Sequence, residues 1–111
     1  MATRYEYDFS DHVRGDTYNG ATFTVTVNSV ALDLTGASIS ATFKKDNFTY
    51  TLSTGNGLTI SDAAGGEFQV DEQVINWREG KYRYDITFTL SDGSIKSYIY
   101  GTWNITEKIS G

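Results

Sequence analysis

Cysteine and proline are both missing from this chain of 111 residues, and histidine occurs once. Without cysteine there is no disulfide staple and no thiolate metal site, so any fold must rest on burial alone. With no cysteine and with His12 as the single histidine, neither a cysteine nucleophile nor the common serine triad is expected. Positive charge is scarce as well. Nine Lys and Arg stand against fourteen Asp and Glu, a net charge of -5, and no basic stripe appears along the chain. That balance argues against a nucleic-acid backbone as partner. No apolar run approaches the length of a membrane span, and residues 1–17 lack the apolar centre of a signal peptide. The expectation is a chain made in the cytoplasm, with neither membrane nor nucleic acid among its partners.

What is present points to strands. Eleven glycines, with abundant Thr, Ser, Tyr and Val, supply tight turns and extended runs, and the length suits one domain over residues 1–111. The organising stretch is residues 80–106, where two alternating runs are joined by Asp92-Gly93. Read as a two-residue hairpin loop, that pair sets Tyr82 against Trp103, Tyr84 against Gly101, Ile86 against Ile99, Phe88 against Ser97 and Leu90 against Ile95 on one face. The other face then carries Arg83, Asp85, Thr87 and Thr89 opposite Thr102, Tyr100, Tyr98 and Lys96. Gly101 leaves room for the Tyr84 ring to lie across the strand.

Shorter alternating runs precede the hairpin. Residues 3–9 place Tyr5, Tyr7 and Phe9 on one side, and residues 21–28 place Phe23, Val25 and Val27 inward. Ile39, Ala41 and Phe43 form a third run, and Phe48, Tyr50 and Leu52 a fourth at an edge, followed by short strands at Leu58–Ile60 and Glu67–Val70. Asp71 to Trp77 breaks the alternation, and the spacing of Val74 and Trp77 predicts a single helical turn. The expected fold is all-β: an immunoglobulin-like antiparallel sandwich of about seven to nine strands with one short helical turn. Tyr82, just after that turn, sits where a tyrosine hydroxyl would cap the crossing between two sheets, or where it would simply fill the core.

Reactive chemistry finds little material. Carboxylates for glycoside hydrolysis would have to come from Asp8, Asp11, Asp16, Asp62, Asp71, Glu72 or Asp85, most of them at turns where Asp binds backbone. The loop at Asp62 offers calcium one carboxylate, and Gly55-Asn56-Gly57 is followed by no Lys-Ser or Lys-Thr that would make it a phosphate loop. Two glycosylation sequons, at Asn47 and Asn104, lack a secretory setting. Arg14-Gly15-Asp16 before Thr17 is turn-to-strand punctuation as well as an adhesion tripeptide. No catalytic residue, cofactor site or metal site is expected. The candidate interface is the outward hairpin face, Asp85, Thr87, Lys96, Tyr98 and Tyr100, because tyrosine offers contact area at small entropic cost.

Five stretches taken in order carry a family resemblance: Arg14-Gly15-Asp16-Thr17; Leu32-Asp33-Leu34-Thr35-Gly36-Ala37; residues 55–60 with 62–68; residues 80–86; and Gly101-Thr102-Trp103. Together they resemble the immunoglobulin-like domain of tailed-bacteriophage virion proteins, similar to the N-terminal domain of baseplate upper proteins. Trp77-Arg78-Glu79-Gly80 stands where that family commonly has Leu-Pro-Ala-Gly. The resemblance implies a non-enzymatic virion component in the tail, baseplate, neck or a fibre attachment, present in multiple copies and contacting other virion proteins. A capsid decoration protein and a carbohydrate-binding or host-adhesion module, with exposed tyrosines as sugar platforms, are the alternatives.

Overall fold

The computed structural model describes residues 5–107, and these are all-β with no helix. The first six strands are short: β1 (Tyr5–Glu6), β2 (Phe9–Val13), β3 (Thr17–Tyr18), β4 (Ala21–Thr24), β5 (Thr26–Val27) and β6 (Val30–Ala31). Then come β7 (Ser38–Lys45), β8 (Phe48–Thr54), β9 (Gly57–Asp62), β10 (Glu67–Val70), β11 (Gln73–Val74), β12 (Gly80–Thr89) and β13 (Ile95–Thr106). Thr3 and Arg4 of the expected first strand lie outside the described residues.

Nine strands form one mixed sheet in the order β1–β13–β12–β7–β8–β9–β10–β4, with β2 also on β13. The sheet is mixed where the sequence predicts purely antiparallel strands, because β1 and β2 run parallel to β13 and β8 runs parallel to β9. β8 and β9 share only two pairs, Ser53 with Gly57 and Thr54 with Leu58, so the sheet turns a corner there and curls. Across the curl, Phe68 of β10 meets Phe88 of β12 edge to face at 5.6 Å. The inner faces of β4–β10–β9 and of β7–β12–β13 therefore look at each other.

The long hairpin keeps the expected register only in its far half. Tyr82 pairs with Trp103, Tyr84 with Gly101 and Ile86 with Ile99, but Thr87 pairs with Ser97, Phe88 with Lys96 and Thr89 with Ile95. The loop explains the slip. Leu90 N–H reaches the Ser94 carbonyl and Gly93 N–H reaches the Leu90 carbonyl, both at 2.8 Å, so three residues turn the chain. Gly93 has φ 89° while Asp92 stays out of the left-handed region, which is the three-residue loop with a glycine bulge and not the two-residue loop. A second bulge at Tyr98 restores the register. Tyr98 and Ile99 both turn inward as a result, at 5% and 4% exposure.

The helical turn expected at Asp71–Trp77 is absent. Gln73 and Val74 are extended and pair with Tyr18 and Thr17. Val74 faces solvent while Ile75 is fully buried, and the Gln73 amide donates to the Gly57 and Asp71 carbonyls. Tertiary hydrogen bonds hold this segment straight where the spacing of apolar residues alone favours a turn.

Aromatic rings cluster around Trp103 in the core. Trp103 is fully buried, stacks on Phe9 at 4.5 Å and donates its indole N–H to the Ser10 carbonyl at 3.0 Å. Tyr82 belongs to the core, fully buried, and its hydroxyl donates to the Arg78 carbonyl at 2.6 Å. Tyr82→Phe leaves that carbonyl without its partner, and is expected to lower stability by about 1–2 kcal/mol. Urea denaturation checks this, and an unchanged midpoint would show that the bond contributes nothing.

Candidate functional site

The outward face of β7–β12–β13 is built from the residues that alternate away from the core. Lys81, Arg83 and Asp85 of β12 are exposed, flanked by Thr42 and Lys44 of β7 and by Tyr100 and Thr102 of β13. An open groove of about 1010 Å³ runs over all of these but Thr102, also bordered by Lys45 and Asp46. Arg83 and Lys44 are direct cross-strand partners. Like charges in that position repel, and neither has an ion-pair partner among the described residues. The positive stripe missing along the sequence is thus assembled across strands.

Of the expected interface residues, Asp85, Thr87 and Tyr100 lie on this face. Thr87 and Ser97 share a hydrogen bond at 3.1 Å. Lys96 and Tyr98 do not belong to it. The three-residue loop sets Lys96 opposite the inward Phe88 and puts Ile95, 68% exposed, in the outward place beside Thr89. Tyr98 packs against Phe88, ring centroids 5.9 Å apart. Tyr98→Ala is accordingly expected to cost about 3 kcal/mol, as a buried aromatic does, while Tyr100→Ala costs far less. Thermal denaturation of the two single variants separates them; equal, small losses would place both rings outside.

The Arg14-Gly15-Asp16 triplet has a structural task. Arg14 donates to Glu79 at 2.6 Å and to Asn76 at 3.3 Å, Gly15 N–H reaches the Ile75 carbonyl, and the Asp16 carbonyl accepts from Ile75. Together these contacts fasten the β2–β3 corner to residues 75–79. His12 Nε2 lies 2.9 Å from the same Asp16 carbonyl, which suits the Nε2–H tautomer. Several of the acidic candidates are likewise engaged in local bonds. Asp8 accepts from the Thr102 amide and hydroxyl, Asp62 from the Gly65 amide, and Asp71 from Thr59 and Gln69. Among the described residues no group of three or more His, Asp or Glu side chains is placed to hold a metal ion.

Neither protein-family models nor curated proteins give a match to this chain. Its electrostatics must speak from the side chains themselves. The hydrogen bond from Arg14 holds Glu79 below the usual carboxylate value and raises Arg14 in turn, and the Ser94 amide does the same downward service for Asp92. Burial pushes the Tyr18 and Tyr82 phenols up to about 12 and raises Tyr84, whose hydroxyl donates to the Tyr7 carbonyl. In the unfolded chain these phenols ionise near about pH 10. Between that pH and about 12 the folded state retains protons that the unfolded state has lost, so their stabilisation is whole below about pH 10 and disappears as pH rises through about 12. An ultraviolet phenolate titration followed beside circular dichroism should show late ionisation coinciding with loss of the fold. Ionisation of every tyrosine near about pH 10 with the fold intact would contradict it.

Proposed function

We propose that this chain is a non-enzymatic structural component of a tailed-bacteriophage particle, an immunoglobulin-like sandwich working by protein–protein contact. The observation that carries the reading is the Tyr82 hydroxyl on the Arg78 carbonyl at the start of β12. In immunoglobulin-like domains a tyrosine near the start of strand F, at the corner between the two sheets, bonds backward to the chain in this manner. The strand order supports the same assignment. β13–β12–β7–β8 follows the G–F–C order with an added C′, and β9–β10–β4 follows D–E–B. The sequence resemblance spans residues 14–106, the same strands, and supplies the virion setting.

Contact with other virion proteins is assigned to the outward face of β7–β12–β13, where uncompensated charge and the half-buried Tyr100 lie together. Burial of Tyr98 removes one of the two platforms on which sugar stacking would depend. Mass spectrometry of particles purified from the source lysate tests the reading. Peptides of this chain in stoichiometric, multiple-copy amounts are expected, and their absence from particles rich in other structural proteins would overturn it.

A further inference from the structure

Charge is sorted between the two outer surfaces of the molecule. Four of the nine Lys and Arg, Lys44, Lys45, Lys81 and Arg83, border the groove over β7–β12–β13, against only Asp46 and Asp85. This gives a locally positive face on a chain of net charge -5. The outer surface of β4–β10–β9 is the reverse. Residues 15–43 and 46–77, which include these three strands, contain no Lys or Arg. Glu67 and Asp71 are held in place there by the Ser61 and Thr59 hydroxyls, both at 2.8 Å, with Asp62 and Glu72 exposed beside them. Hydroxyl donors orient these carboxylates without neutralising them.

The two surfaces point in opposite directions, because the Phe68–Phe88 contact turns the inner faces of their strands toward each other. We propose that the chain associates head to tail with further copies of itself, the Lys44–Arg83 face of one copy meeting the Glu67–Asp71 face of the next. Complementary potentials of this kind steer and orient association, and unlike surfaces on opposite sides give an open row or a closed ring instead of a two-fold dimer. The like-charge pair of Lys44 and Arg83 is relieved when carboxylates arrive from a neighbour. This names one partner for the contact face assigned above and so rests on that face being a contact surface; the virion reading is tested separately, on particles.

Sedimentation velocity tests the proposal on three forms: wild type, Lys44→Gln with Arg83→Gln, and Glu67→Gln with Asp71→Asn. Wild type should associate with increasing concentration at low salt, and the association should weaken roughly tenfold or more at high salt. Each double variant alone should be monomeric, with a melting temperature close to wild type. Mixed in equal amounts, they should form dimers and nothing larger, since each keeps one working face. A wild type that stays monomeric at low salt, or a mixture that stays monomeric, would overturn the proposal. So would a monomeric wild type whose groove resonances shift on adding inorganic phosphate, which would make the positive face a small-anion site.

Discussion

Trp103→Ala is expected to cost about 3–5 kcal/mol and to leave a large share of the chain unfolded at physiological temperature. The indole is fully buried and touches rings from four parts of the chain: Phe9 at 4.5 Å, Tyr18 at 5.0 Å, Trp77 at 5.4 Å and Phe43 at 5.8 Å. No single neighbour can swing in to fill the space, because each is held by its own strand or by the segment that joins β11 to β12. Its N–H also ties β13 to the Ser10 carbonyl, so the truncation loosens β2 as well. A domain of this size has only about 5–15 kcal/mol in hand. Urea denaturation followed by far-ultraviolet circular dichroism measures the loss; a drop below about 1 kcal/mol would mean that the cluster is looser than these contacts require.

Gly101→Ala should be nearly as damaging for a different reason. A Cβ there would stand 2.0 Å from the Tyr7 carbonyl oxygen, which is backbone and cannot rotate away. Between β1 and β2 the chain crosses directly over Gly101. The crossing is anchored by Tyr7 N–H on the Tyr100 carbonyl at 2.8 Å, by the Tyr84 hydroxyl on the Tyr7 carbonyl, and by Asp8 on Thr102. Lifting it would break several of these bonds, a loss of about 3 kcal/mol with faster amide exchange at Tyr7 and Thr102. Exchange that stays slow at Tyr7, with unchanged stability, would show that the segment does not sit on the glycine.

Much of this arrangement is legible in the residues, and the parts that are not have physical causes. Alternation from Tyr82 to Ile86 reads correctly because burial on one face forbids a slip of one residue. Beyond Ile86 the letters Asp-Gly serve two loops, a two-residue turn and a three-residue turn with a glycine bulge, which differ by one step of register. The packing of the Tyr98 ring on Phe88, a contact between strands, accompanies the second. Gly101 is readable as a place where something lies close, but what lies there is the Tyr7 backbone, brought in by a parallel pairing of β1 with β13. The turn at Asn28-Ser29, both at positive φ, joins β5 to β6 at the end of the run expected over residues 21–28. The proposed contact face is half visible. Asp85, Thr87 and Tyr100 follow from the hairpin, whereas Lys44 joins Arg83 only once β7 is known to lie beside β12.

If this molecule works by surface contact, its lysines should report it. Amine labelling of Lys44 and Lys81 in intact particles, compared with the same chain released from them, tests that claim most directly. Both amines should lose most of their reactivity in the particle while exposed Lys96, away from the face, keeps its own. Equal labelling of Lys44 and Lys81 in the two states would contradict it.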